Sequence, residues 1–506
     1  MPRRPRPVIA LAVAAVAAVA PCLAAPPGHA AAPSTCLGKA VTIVATSTVT
    51  EGTEGDDVVA VEPGAWTRFD AKGGDDTICI DVPASIVTDH HGGRDMIASL
   101  DAGAGDDIVA NLMSAGTSGV ITTVVLGLGN DTFTGADVGE SVSTERVAGG
   151  SVTPTTDPQL LGEQRDVVTG AATVFSSAPV DGPSHDRITF GSGDARAVID
   201  GVMAPDGLLD VSAASTAGLE LPLPDRSRPV AYGGVLVDNQ ARQVVAGDPT
   251  LRWVGDFQTI EIGSPTRVLG APVSFLGTDI DETVTFRDAQ AGDVVLGGGD
   301  DSLTVQGLNL ATLPQSAHGG GGRNTAYFEV PCRQSLVVRL DNEASCDGRS
   351  GDFTGFHTVA AGTTGVAAPA VRLVGTSRRD ELRAFGSRAA VDGGRGADVI
   401  DAIAPVVRVR AGDGADRVFA AGLDVVARGQ AGPDRIEVVG GEGRFESGVK
   451  HRRRVALGGP GADKLVGADD ARADRLVGGK GRDRADGGKG RRDYCSAEVT
   501  RRCERP

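Results

Sequence analysis

Between residues 373 and 445 an apolar side chain recurs at every ninth position: Leu373, Leu382, Val391, Ile400, Val409, Val418, Ala427, Ile436 and Phe445. The flanking positions are mostly charged, as in Glu381 and Arg383, Arg408 and Arg410, Arg435 and Glu437, Arg444 and Glu446. A polar–apolar–polar triplet is a minimal β-strand with one side chain turned inward. Six residues of turn separate each triplet from the next. Two strands and two turns make a coil of 18 residues. One such coil cannot bury its apolar row alone, so coils must stack and their strands must form parallel sheets. The pattern predicts an all-β chain. It is a parallel β-roll or β-helix solenoid in interrupted modules, with an irregular β-rich middle region.

Every second turn closes on an acid. GTSRRD, GGRGAD, AGDGAD and GQAGPD end at Asp380, Asp398, Asp416 and Asp434, each 18 residues after the last. Glycines at 394, 396, 412, 414 and 432 suit turns that need positive φ and close backbone approach. Such a turn exposes carbonyl oxygens, and the aspartate adds a carboxylate. Two stacked turns offer a hard cation a cage of oxygens, which favours calcium. The expected sites lie between Asp380 and Asp398, Asp398 and Asp416, and Asp416 and Asp434. The alternate turns, AFGSRA, AIAPVV, AAGLDV and VVGGEG, do not end in Asp, so only one edge of this module is expected to bind. The phase breaks at the basic insertion SGVKHRRR (447–454). It resumes with GGPGAD, which contains Gly459, Gly461 and Asp463; Asp474 and Asp483 follow, and GGKGRR puts Arg492 in the next acidic slot. The last segment, DYCSAEVTRRCERP, reads as a cap over an otherwise open sheet edge.

The phrases GGRGADVID, AGDGADRVF, GGPGADKLV and GGKGRDRAD resemble the nonapeptide of the hemolysin-type calcium-binding repeat, the RTX family. The resemblance implies a calcium-loaded β-roll. CLGKAVTIVATSTVTEGTEGDDVV is similar to the opening of secreted actinobacterial members, though it lacks the usual first Gly-Thr repeat. The acid-free alternate turns are a departure from the family pattern. A leader at the N-terminus is another, since RTX toxins leave through an uncleaved C-terminal signal.

Looser copies occur elsewhere. GTEGDD, AKGGDD, AGAGDD and LGLGND close on Asp57, Asp76, Asp107 and Asp131, with Val59, Ile78, Val109 and Phe133 two residues on. GTDIDE and LGGGDD, ending at Glu282 and Asp301, form a middle pair, and GGGGRN puts Asn324 in the acidic slot. The expected organisation is a signal peptide (1–32), a degenerate calcium-repeat module (36–135), the irregular β-rich region (136–270), a short repeat module (271–346), the C-terminal β-roll (371–495) and the cap (496–506).

Composition narrows this further. Gly is 72 of 506 residues, about twice the usual share, and aromatics are 4%, which suits tight turns around a thin core. The basic MPRRPRP, an apolar run from Val8 to Ala20 and the small residues before Pro33 read as a secretory leader too short to span a bilayer. No later run has 18 apolar residues, so an extracellular chain without a membrane span is expected. The six remaining cysteines suggest disulfides, with neighbours paired as 36–79, 332–346 and 495–503 and other connectivities open. Residues 371–506 carry 28 Lys and Arg against 21 Asp and Glu, net +7, which leaves −24 for residues 1–370 of the overall −17. That balance argues against nucleic-acid binding. The basic tail interleaves Arg with Asp and reads as a solvated surface.

The chemistry of an enzyme is not visible. The chain has no HExxH helix and no GxSxG elbow. Ser302 in GGDDSL falls on an outward strand position. His90 and His91 read as a solvated loop, and no partner is evident for His185 or His357. No catalytic residue is assigned. The expected protein is a monomeric, secreted, calcium-stabilised solenoid with a structural, adhesive or ion-binding role. Its partners are calcium ions and a cell-surface or extracellular polymer. The alternative is a secreted hydrolase or polysaccharide-acting enzyme that carries RTX-type repeats.

Overall fold

A computed structural model describes residues 34–46, 50–61, 68–80, 96–112, 120–135, 141–144, 165–177, 184–200, 207–221, 235–246, 248–263, 272–307, 313–363, 370–441, 453–470 and 472–504. The leader, His90 and His91, Phe445 and nearly all of the basic insertion lie outside these residues. Among the described residues the chain is all β, and no helix is long and apolar enough to cross a membrane.

Among the described residues forty-three strands fall into two long sheets, one of 24 strands and one of 19, which face each other across a continuous core. The 19-strand sheet is parallel at every pairing, from Arg68–Asp70 to Val499–Arg501. It runs through residues 136–270 as well, where Thr173–Ser177, Asp194–Asp200, Thr216–Leu221 and Thr259–Gly263 pair in sequence. The 24-strand sheet is parallel except where two antiparallel strands, Gln243–Ala246 and Asn342–Cys346, are inserted.

The nine-residue apolar pattern marks the inward face. Leu373, Leu382, Ile400, Val409, Ala427 and Ile436 are fully buried, and Val391 and Val418 nearly so. The strands are longer than triplets. Arg388–Arg395 and Val406–Asp413 have eight residues, because Gly394 still pairs with Gly412 and the ladder continues into the turn. Register follows the 18-residue period, with Ile400 opposite Val418 and Val418 opposite Ile436.

The core changes along the axis. Phe69, Phe133, Phe190, Phe257, Phe275, Phe286, Phe328, Phe353 and Phe356 fill the first three quarters, whereas residues 371–485 bury Val, Leu, Ile and Ala. Phe353 and Phe356 stack with ring centres 4.4 Å apart. Three disulfides, Cys36–Cys79, Cys332–Cys346 and Cys495–Cys503, join the cysteines as neighbours. The first pins the hairpin Thr35–Cys36/Lys39–Ala40 to a sheet strand, and the last closes the C-terminal cap.

Candidate metal centre

The acid that ends each turn sits immediately before a strand, at the bend where the chain enters a sheet. There its carboxylate turns inward and along the stack. Asp380 N–H donates to Asp398 Oδ1 at 2.9 Å, Asp398 N–H to Asp416 Oδ1 at 2.9 Å and Asp416 N–H to Asp434 Oδ1 at 3.0 Å. Asp434 continues to Asp463 at 2.8 Å and Asp463 to Asp483 at 2.9 Å. Glu498 ends the row by accepting from Asp483 N–H. Asp398 and Asp416 therefore lie on one edge, one coil apart.

The N-terminal acids form a second row of the same kind. Asp57 N–H donates to Asp76 at 2.7 Å, Asp76 to Asp107 at 2.8 Å and Asp107 to Asp131 at 2.8 Å. This row goes on through Asp166 and Asp186, which carry no glycine phrase. In the middle, Glu282 N–H donates to Asp301 and Asp301 N–H to Asn324 Oδ1.

Each carboxylate thus spends one oxygen on the ladder. The other oxygen is buried and has no hydrogen-bond donor at Asp76, Asp107, Asp131, Asp301, Asp398, Asp416, Asp434, Asp463 and Asp483. Its surroundings are carbonyl oxygens. A methyl group placed on Gly393 would overlap both Asp398 Oδ2 and the carbonyl oxygen of Ala411, one coil on. The same convergence of carboxylate and carbonyl recurs over Gly375 with Asp380, Gly429 with Asp434 and Gly458 with Asp463.

Asn324 reveals what that oxygen faces. It occupies the acidic slot, accepts the ladder bond through Oδ1, and places an amide nitrogen where the aspartates place their second oxygen. That nitrogen donates to three carbonyls: Gly319 at 2.7 Å, Gly321 at 3.0 Å and Gly355 at 3.0 Å. By position, the corresponding carbonyls around Asp398 belong to Gly393, Arg395 and Ala411. A carboxylate oxygen set among carbonyls is repelled unless a proton or a cation lies between them.

Burial accordingly pushes several carboxyl groups of the rows up. Asp107 rises to about 8, Asp131, Asp301, Asp398 and Asp434 to about 7, and Asp76 to about 6, in each case chiefly by desolvation and against the ladder bond that lowers it. Asp416 and Asp463 are raised for the same reason.

The end rungs draw on a neighbouring threonine, although Oδ1 of Asp380 stays buried without a donor. Thr53, Thr278 and Thr376, each following a glycine, donate N–H and hydroxyl to Asp57, Glu282 and Asp380 respectively. Asn239 also donates to Glu282 at 2.7 Å. On the opposite edge near the C-terminus, Asp474 N–H donates to Asp493, and Asp493 N–H to Glu504. There a guanidinium supplies the positive charge: buried Arg454 stands opposite Asp474 in the sheet, with Nε 2.6 Å from its carboxylate, and also binds Asp470.

Several sequence expectations are refined by this. Asp493, not Arg492, takes the acidic slot: the turn from Gly487 to Asp493 is one residue longer than GGKGRD, and Arg492 adopts φ +74° within it. Gly394, Gly396, Gly412, Gly414, Gly432 and Gly459 adopt positive φ, and a side chain on any of them or on Gly461 would overlap a carbonyl one coil back. Asp166, Asp186, Gln258, Glu498 and Glu504 are ladder residues that the sequence pattern did not mark. Gln258 Oε1 accepts from Ala217 N–H in the equivalent place. Asp166 and Asp186 could have been found, since Val168 and Ile188, two residues on, are buried like their counterparts elsewhere. His357 is an extra residue at a register irregularity beside this row, and its Nδ1 is buried without a hydrogen bond.

Among the described residues no three His, Cys, Asp or Glu side chains converge on one point. A bound ion would therefore draw on carbonyls and one or two carboxylates, an all-oxygen set suited to calcium rather than zinc. No protein-family model matches the chain, and no curated protein matches it.

Proposed function

We propose that this chain is a secreted calcium-binding β-solenoid of the RTX type, stabilised by calcium and serving a structural, adhesive or ion-binding role without catalysis of its own. One observation carries the reading: a periodic row of buried carboxylate oxygens without donors, set among carbonyls that the Asn324 amide finds at hydrogen-bond distance. Calcium between adjacent coils would neutralise the row and replace the missing donors. The residues that would hold it are Asp398, Asp416, Asp434, Asp463 and Asp483 with the turn carbonyls, together with Asp76, Asp107, Asp131 and Asp301.

The ion does no chemistry; it bridges coils, so its binding free energy becomes folding free energy. Extracellular calcium modules bind at about 10⁻⁴ to 10⁻³ M. At tenfold excess over Kd each site adds about 1.4 kcal/mol. Several coupled sites then separate an unfolded chain inside the cell from a folded one outside.

Calorimetric calcium titration and thermal melts of the mature chain at pH 8, in calcium and in chelator, test this. Bound calcium with a rise in Tm is the expected result. No heat and an unchanged Tm would overturn the calcium reading and leave protons as the only neutralising species.

A further inference from the structure

Acid–base dipeptides recur at the C-terminal turns: Asp416-Arg417, Asp434-Arg435, Asp463-Lys464 and Asp483-Arg484. In the sequence the charges are interleaved; in the fold they separate. The acids are buried in the ladder, and the cations are the first outward residues of successive strands in the 19-strand sheet. Arg417 pairs in register with Arg435, Arg435 with Lys464, and Lys464 with Arg484. All four are exposed, and among the described residues none forms an ion pair.

At a strand spacing of about 4.8 Å the row is a straight cationic line about 14 Å long. The acids two residues further along the same face are mostly engaged. Asp401 pairs with Arg383 at 3.7 Å and also feels the charge of Arg417, Asp486 pairs with Arg502, and Glu437 is left. Like charges in adjacent strands repel, so folding alone does not account for the row.

We propose that this row is a docking surface for a linear acidic polysaccharide bearing one carboxylate or sulfate per sugar. Charge complementarity and the straight, evenly spaced, flat geometry favour such a strand. Duplex DNA fits less well, because its charges follow a helix and the body of the chain is strongly acidic. A second element rests on the calcium reading: ions in the ladder would neutralise the acid adjacent to each cation and raise the potential along the row.

The test is retention of the mature chain on an immobilised sulfated polysaccharide, heparin, against salt, in calcium and in chelator, with far-UV circular dichroism to confirm folding. R417Q/R435Q/K464Q/R484Q should lose at least tenfold in affinity, and its log–log salt slope should fall by about 3. K464E, a single surface change, should lose severalfold. R410Q/R428Q, on the other sheet, should bind like the wild type. Equal retention of the wild type and the quadruple variant would overturn the docking surface. Displacement by duplex DNA as effective as by free heparin at equal charge would overturn the polysaccharide assignment. Weaker retention in chelator by chain that is still folded supports the calcium linkage, whereas equal retention overturns that linkage and leaves the surface standing.

Discussion

The first and last aspartate rows use one hydrogen-bond device on opposite edges of the molecule. From Asp57 to Asp186 the acids lead the chain out of the 19-strand sheet into the other; from Asp380 to Asp483 they lead it in. Their outer surroundings also differ. Before Asp57, Asp76, Asp107 and Asp131 the preceding residue is itself acidic or an amide: Asp56, Asp75, Asp106 and Asn130 form an exposed outer ladder. In the C-terminal row Ala397, Ala415, Pro433 and Ala462 stand before Asp398, Asp416, Asp434 and Asp463, Arg379 and Arg482 before the two outer acids, and the cationic row follows Asp416, Asp434, Asp463 and Asp483. The ladder needs only an acceptor at the bend and a donor one coil away, so either edge can host it. What the edge presents to solvent is a separate choice.

Four perturbations test how far the two rows are alike. The largest effect is expected at Gly414, where φ is +156° and a side chain would overlap the Gly396 carbonyl. G414A should cost about 4 kcal/mol or more in chemical denaturation, and G129A, its N-terminal counterpart at φ +149°, should match it. An effect under about 1 kcal/mol at either would show that its turn can re-form.

Next comes the ladder acceptor. D416A leaves the buried Asp398 N–H without a partner and should cost about 2–3 kcal/mol. D416N keeps the acceptor and supplies an amide as at Asn324. It should be as stable as the wild type or more so in chelator, yet bind less calcium by calorimetry. The same pair at Asp107 asks whether the first row binds ions too.

N324D makes the converse change. It replaces a satisfied amide by a carboxylate among three carbonyls and should cost about 2 kcal/mol at pH 8 in chelator. Calcium should restore the loss and add bound metal. A neutral effect in chelator would mean that the slot does not discriminate.

The smallest effect is on pH dependence. Asp76, Asp107 and Asp131 in the first row and Asp398, Asp416, Asp434 and Asp463 in the last titrate above their ordinary 3.8 in the folded chain, so the fold holds more protons than the unfolded chain between about pH 4 and 8. Stability in chelator should therefore be greatest at the acidic end of that window. It should fall by a few degrees in Tm as pH rises through 6 to 8. Calcium should flatten this dependence. A Tm that rises with pH in chelator would contradict the burial argument.

Much of this was legible in the residues. The buried Leu382, Ile400, Val418 and Ile436 lie two residues beyond Asp380, Asp398, Asp416 and Asp434, and both series keep the coil period. Glycine phrases marked the turns where carbonyls approach closely. Legibility fell where insertions changed the coil length. Asp166 and Asp186 lack the phrase because the ladder requires only the acid, and Asp493 is displaced by one residue because its turn carries one residue more, with Arg492 left-handed within it.

Local repetition alone therefore determined the strand class, the coil length and the residues at each bend, because side-chain alternation and turn conformation are set by neighbours in the chain. Only the stacked structure decided which edge each acid row occupies, which rungs carry their own amide or guanidinium, and that interleaved Asp and Arg part into a buried anionic ladder and an exposed cationic line. Those outcomes depend on register between coils 18 to 35 residues apart, and register is fixed by packing across the core rather than by any one repeat.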